Sequence, residues 1–580
     1  MRIDLGLLIL TTVLTAACAG APTGTDSGSP PADLVLIGDH ILTVDPATEG
    51  ASAVAVRGDT IVAVGSRRDV SGLIGEATRV VELGDRALVP GFIDAHGHLS
   101  LAMVYVDLLN ASSPPVGPME SVEDIVQALR ERIETLAIPP GEMVAGYGYD
   151  DSLLAEGRHP DRDDLERAST EHPIVLVHVS GHLATANSAA LERFGYREGM
   201  PDPPGGHVRR RPGTTIPNGV LEENAAQAAF HREFAKAMTP EAFPRLVQAA
   251  IDYNTRYGIT TIQEGAAAPE LIQGLRGLAA ARPLPVDVAA YLVGNTFERD
   301  VSLESIGYAR DYANGFRVAG VKFALDGSPQ GRTAWLREPY AEGPPGAPPD
   351  YVAYPILEPE HYRFHAKRLI DAGIPYIAHA NGDAAIELMI DGVDGAIGAL
   401  AVDERPDHRS VTIHAQLTGK DQLDRMAALG IVPSFFASHC FFWGDWHRVS
   451  FGDARALAIS PLRSALDRGL HINIHNDAPV VPPDVMRLIE AAVDRRTRSG
   501  FVLGADERIT VEEALHAVTL GAAYAYFEED RKGSITVGKQ ADLVVLGADP
   551  REVPVQAISD IPIVETIAKG RTVYAGEAAR

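Results

Sequence analysis

Eight short apolar runs, separated by stretches with helical spacing, constrain this chain more than any other feature. IDAHGH, GITTIQEG, LPVDVAAYLVG, GVKFALDG, PYIAHANGD, VTIHAQL, IVPSFFAS and HINIHNDAP follow one another between residues 93 and 479. Short apolar strands that alternate with helices build a parallel sheet, and eight such units predict a closed (β/α)8 barrel. The spacing is broken once, between His98 and Gly258. There Val122–Ala137 has helical apolar spacing, whereas GGHVRRRPGTTIPNGVLEENA is rich in Gly and Pro and reads as loop. We read residues from about 105 to 250 as a large insertion after the first barrel strand, able to cover the barrel mouth.

The two ends of the chain share a different pattern. DLVLIGDHILTVD and AVAVRGDTIVAVG near the start, and GSITVGKQADLVVLGADP and VETIAKGRTVYAGE near the end, alternate apolar and polar positions around Gly-containing turns. This predicts one small β-sandwich assembled from residues 32–88 and the end of the chain. The barrel then occupies 89–500, and its last helix and the rest of the sandwich occupy 501–580.

Composition removes several classes. The chain has 580 residues, 46% hydrophobic and 22% charged, which is the globular range. Its net charge of −27 repels a nucleic acid backbone, and no basic stripe offsets it. Self-association into a homo-oligomer is compatible with this composition. The only cysteines are Cys18 and Cys440, so a disulfide scaffold is excluded.

Residues 1–17 form a short apolar segment after Arg2, followed by Cys18. This reads as an export signal rather than a spanning helix. Thr15-Ala16-Ala17-Cys18 resembles a bacterial lipobox, with Cys18 as the lipidated residue, although Thr15 stands where Leu is usual. Residues 18–31 read as a flexible tether. The expected location is the periplasmic or cell-surface side of a bacterial membrane, held by a lipid. Release from a membrane fraction by salt alone would defeat that expectation.

The strongest chemical signal is Asp94-Ala95-His96-Gly97-His98. Residues two apart on a strand point to one face, so His96 and His98 can aim two imidazoles at one ion. Lys322, His379, His414 and Asp477 each fall at the end of another predicted barrel strand, where active sites of this architecture sit. Imidazole and carboxylate ligands without cysteine suit Zn²⁺ and related divalent ions in an open site. Such an ion lowers the pKa of water toward ~7. Asp477 is placed to hold that water and carry its proton to a leaving group.

Together DAHGH, VKFALDGS, IAHANGD, TIHAQL and NDAPV, with GSITVGKQADLVVL, resemble the amidohydrolase superfamily, and within it the YtcJ-like branch. The resemblance runs from about Ala32 to the C-terminus. It implies a metal-dependent hydrolase acting on a C–N bond of an amide, N-acyl or N-formyl compound. It further implies that His96 and His98 bind the more buried metal, that His379 and His414 bind a second, and that a carbamylated Lys322 bridges the two. Asp477 is then both ligand and base. Asn381 departs from the family's usual apolar residue. The expected cofactor is one or two divalent ions, foremost Zn²⁺. A deaminase or an esterase/lactonase on the same barrel is the alternative, and a non-catalytic binding protein conflicts with six competent ligand positions.

Substrate contacts are expected from His182 and Asn187 in SGHLATANSAAL, a segment that looks like a branch motif facing the site. Asn187 also suits a helix cap. Glu264 ends the second strand and Trp335 follows the fourth, so both are candidates for the mouth of the barrel.

Overall fold

The computed structural model describes residues 30–227 and 239–576. Cys18 and the export segment lie outside these residues. At the centre is an eight-stranded sheet whose strands we label β1 (Phe92–Ile93), β2 (Ile259–Ala267), β3 (Asp287–Val293), β4 (Phe316–Ala324), β5 (Tyr376–Ala380), β6 (Val411–His414), β7 (Val432–Phe435) and β8 (Asn473–Ile474). They lie side by side in chain order, and every neighbouring pair is parallel. Each strand overlaps one of the eight apolar runs, and β1, β2 and β4 extend past theirs. Past the strand ends the two edge segments meet, where Gly97 bridges Ala478 and the His98 N–H donates to the Ala478 carbonyl at 2.7 Å.

Helices cover the outside of this sheet for local reasons. Pro269–Ala281 and Pro359–Asp371 start with proline at the first helical position, where its missing N–H costs nothing. Asp383–Ile397, directly after β5, buries Ile386, Met389, Ile390 and Val393 against the main apolar core. A separate cluster fills the space between strands, with Ile93, Ala289, Tyr291, Ile377, Ile413 and Tyr526 among its members.

The two chain ends do share a sheet. His40–Ile41 and Ala87–Pro90 join Leu543–Leu546, Ile563–Ala568 and Arg571–Ala575 in a five-stranded sheet. A four-stranded sheet holds Leu34–Ile37, Ala53–Arg57, Thr60–Gly65 and Arg79–Glu82. One apolar cluster, including Leu36, Val54, Leu88, Leu543, Val545 and Ile567, draws on both sheets.

The segment between β1 and β2 has a sheet of its own. Six strands run in the order Gly206–Arg210, Pro217–Glu223, Leu183–Ala186, Ile174–His178, Val144–Tyr149 and Leu109–Asn110. The predicted helix is Val122–Thr135, begun by a capping box between Ser121 and Asp124. The stretch read as loop is instead an antiparallel hairpin, with Val208 opposite Leu221 and His207 opposite Glu222. Its glycines and prolines serve the turn and the strand starts, and the buried Val208 and Leu221 supply the apolar face.

Candidate metal centre

The C-terminal ends of the central strands bring the six sequence candidates together. His96 and His98 follow β1, Lys322 lies in β4, His379 in β5, His414 ends β6, and Asp477 follows β8. Asp477 Oδ1 stands 3.2 Å from His98 Nε2 and 3.5 Å from His96 Nε2, and Oδ2 stands 3.9 Å from His414 Nε2. Lys322 Nζ is 3.0 Å from His96 Nε2, and His414 Nε2 is 2.9 Å from His379 Nδ1. Two of these residues hold left-handed backbone, His414 at φ 74° and Asp477 at φ 54°. Such conformations cost ~1–3 kcal/mol and persist at sites that need a particular side-chain direction.

The imidazoles are prepared as neutral ligands. Burial holds His96, His379 and His414 well below the ordinary histidine range, reinforced by Lys322 and by neighbouring imidazoles, among them His182 beside His379 and His475 beside His96 and His414. Burial also pushes Lys322 down to about 8, against the opposing pull of Asp477 and Glu264. For Asp477 burial acts the other way, but the polar contact of the His98 ring, 3.2 Å away, with His96 and His475 close by, outweighs it and holds the carboxyl well below the ordinary carboxylate range. Although imidazole nitrogens surround it, buried Asp477 Oδ1 has no well-aligned hydrogen-bond donor. A carboxylate oxygen left unbonded among converging neutral imidazoles fits a divalent cation. The residues present therefore suit the metal that the donor set implies.

Several residues that set this geometry escaped the sequence reading. His96 Nδ1 faces Gln263 Oε1 at 2.5 Å, which fixes the ring tautomer and leaves Nε2 free for an ion. Gln263 is in turn held by the Tyr526 hydroxyl at 2.5 Å and the Ala95 carbonyl at 2.9 Å. Gly265 lets the ring in, since a Cβ there would lie 2.6 Å from His96 Cε1. His379 turns Nε2 to the Gly327 carbonyl at 3.2 Å, leaving Nδ1 toward His414. His475 is fully buried beside His96 and His414, with ring centroids 5.3 and 5.1 Å away and no hydrogen bond at either nitrogen.

Asp326 organises the neighbouring loop. Its carboxylate accepts from the N–H groups of Asn381, Gly382 and Trp335, and burial raises its pKa to about 7. Asn381, the departure from the family pattern, donates from Nδ2 to the Gly327 carbonyl at 2.9 Å.

The four expected substrate contacts divide. His182 reaches the centre from the insertion, its ring 5.0 Å from that of His379. Its Nδ1 donates to Glu223 Oε2 at 2.6 Å, and Glu223 Oε1 accepts from the Thr333 hydroxyl at 2.7 Å. Asn187 does not face the site with anything to offer. Its side-chain oxygen accepts from Ala190 N and Ile174 N, and its amide donates to the Ser169 and His172 carbonyls, so every bond goes to backbone. It is a helix cap and strand tie. Glu264 is also spent on backbone, accepting from Ser100 N at 2.6 Å and Ala266 N at 3.1 Å, close enough to Lys322 to influence it. Trp335 packs partly buried against the main core.

A parallel sheet with histidines, a lysine and an aspartate at its strand ends defines the class as a metal-centre α/β protein. The chain belongs to the amidohydrolase family, whose model matches residues 79–574. It is 28% identical over 548 residues to the N-substituted formamide deformylase of Arthrobacter pascens, covering 93% of this chain and 97% of that protein. YtcJ of Bacillus subtilis (strain 168) is 25% identical over 563 residues, 93% and 98% of the two chains. A solved metal-dependent hydrolase from Pyrococcus horikoshii OT3 shares the fold, with a TM-score of 0.70 at 22% identity over 90% of this chain and 99% of its own.

Proposed function

We propose that this protein hydrolyses a C–N bond of an amide, N-acyl or N-formyl small molecule in a metal-dependent reaction. The observation that carries the reading is Asp477, a buried carboxylate held well below the ordinary range, whose oxygens stand 3.2, 3.5 and 3.9 Å from Nε2 of His98, His96 and His414. The family and the similarity to a formamide deformylase support the bond class. On this reading the central sheet is a closed (β/α)8 barrel, and the two terminal sheets form a β-sandwich beside it.

His96, His98, His379 and His414 would hold one or two divalent ions, with Zn²⁺ the best match to imidazole and carboxylate donors. When bound, such an ion polarises the scissile carbonyl and makes water more acidic. Asp477 accepts the proton of the attacking water and delivers it to the departing nitrogen. Lys322, carbamylated, joins the two halves of the ligand set. His182 hangs from Glu223 at the mouth and donates a hydrogen bond to the substrate. Anchoring through lipidated Cys18 on the outer side of a bacterial membrane is part of the same proposal and rests on the sequence alone.

The test is chelation followed by reconstitution, assayed on N-acyl amino acids, formamides, aryl esters and lactones. Activity should vanish on chelation and return with Zn²⁺, Co²⁺ or Mn²⁺, with amides or formamides giving the highest kcat/KM. Full turnover by metal-free protein would defeat the metal dependence, and a preference for esters or lactones would move the bond class.

A further inference from the structure

A second convergence of ligating atoms lies in the insertion, away from the barrel set. Val144–Tyr149 and Ile174–His178 are adjacent parallel strands, with His178 registered on Tyr149. Asp151, two residues past the first, and His178, the last of the second, therefore meet at the same end of the sheet. His159 reaches the same point from the segment before helix Arg162–Ala168. All three residues are less than 10% exposed. Asp151 Oδ1 is 3.0 Å from His178 Nε2, and Oδ2 is 3.5 Å from His159 Nε2. One ligating atom from each residue lies within 4.8 Å of the other two.

The His178–Asp151 contact at 3.0 Å is an ordinary hydrogen bond, and the His159 contact is what departs from a buried ion pair. At 3.5 Å the His159–Asp151 contact is long for a hydrogen bond between a ring N–H and a carboxylate, which centres near ~2.9 Å. It matches the edge of a tetrahedron, since two ligands each ~2.0–2.1 Å from one ion stand ~3.3 Å apart. Each imidazole also has its far nitrogen on a hydroxyl: His178 Nδ1 on Ser180 Oγ at 2.8 Å, and His159 Nδ1 on the Tyr149 hydroxyl at 3.1 Å. A ring nitrogen tied to an oxygen on the outside, with the other turned inward, is how metal-bound histidine is usually held. Arg209, whose field reaches Asp151 and His159, is itself paired with Glu222.

We propose that Asp151, His159 and His178 bind a divalent transition ion of the Zn²⁺ class, separate from the barrel centre, with a fourth position open to water. The ion has a structural consequence. Ser180 N–H lies 3.2 Å from His178 Nδ1, so without an ion that nitrogen accepts and Nε2–H points at Asp151. Ion binding needs a lone pair on Nε2, so the ring proton moves to Nδ1 and is donated to Ser180 Oγ. That same hydroxyl oxygen accepts from His182 N–H at 3.1 Å, and His182 is the residue that leans on His379. Asp150, next in the chain to Asp151, accepts from Trp443 Nε1 at 2.6 Å on the helix after β7. Both contacts join neighbours of the insertion site to the central sheet's site and to the helix after β7.

The test counts ions in the full chain. Protein loaded with Zn²⁺ and freed of excess metal by gel filtration should lose one equivalent per chain on His159→Gln, measured by elemental analysis. The quadruple variant His96→Ala/His98→Ala/His379→Ala/His414→Ala should retain one equivalent of Co²⁺, and adding His159→Gln should remove it. Anomalous diffraction from wild-type crystals grown with Zn²⁺ needs no substitution and should give a peak between Asp151, His159 and His178. A quadruple variant that binds no Co²⁺, or a wild-type map with density only in the barrel, would overturn the proposal. Wild-type protein that holds the insertion ion but shows no hydrolysis with its metals restored would defeat the reading of the barrel and leave this one standing.

Discussion

The central sheet and the insertion sheet both carry buried histidines and carboxylates, but they use them differently. In the central sheet, the polar atoms at the strand ends are left short of partners: Asp477 Oδ1, His414 Nδ1 and both nitrogens of His475 lack a well-aligned hydrogen bond. In the insertion, Asn187 satisfies four backbone groups and Glu223 accepts from both His182 and Thr333. Buried polar atoms without partners are costly, so their concentration in one place marks where a ligand is expected. Reaction chemistry should therefore depend on barrel residues, and positioning and stability on insertion residues.

The largest effect that separates the two should come from Asp477→Asn. The substitution is nearly isosteric but removes the proton acceptor and a charged ligand, so kcat should fall by ~10³-fold or more. Steady-state kinetics with parallel metal analysis decides this, and near-normal kcat with full metal content would place the base elsewhere. Next is Lys322→Ala, which should lose most activity and part of the metal and regain some of both with added short carboxylic acids. One metal per fully active wild-type chain, with an unmodified Lys322 amine, would remove the bridge.

Glu223→Gln should act more weakly and on a different parameter. His182 would keep a hydrogen-bond partner but lose its carboxylate, so KM should rise ~10-fold while kcat changes little. A fall confined to kcat would put His182 in the chemical step and blur the division between the two regions. The smallest effect on turnover belongs to Asn187→Ala. Loss of the cap should cost about 1–2 kcal/mol of stability in denaturant titrations, with kcat/KM of the folded protein unchanged.

How much of this the sequence disclosed follows the same division. The central strands are buried on both faces and read as largely apolar runs, so His379, His414 and Lys322 could be placed at strand ends without a structure. His475 stood in the same run as Asp477, two residues away like His98 from His96, and that spacing was the available signal. Gln263 and Tyr526 had none, because their roles arise where β2 meets a segment more than two hundred residues later. Glu223 was hidden for a local reason: it ends a hairpin whose glycines, prolines and arginines mask the alternation of Val208 and Leu221. Asn187 was legible as a helix cap but not as a strand tie, and the expected substrate contact fails because the backbone takes its whole side chain.

The seam between Gly97 and Ala478 has a consequence for biosynthesis. His96 and His98 emerge early from the ribosome, whereas Asp477 and the Leu543–Leu546 partner of Ala87–Pro90 emerge near the end. Contacts between distant parts of a chain form late, because closing so long a loop is entropically costly before any contact rewards it. A partial chain carries the early histidines without the carboxylate that completes them. On the proposed reading, a growing chain that has not yet reached Asp477 holds the early histidines of a site that is still incomplete.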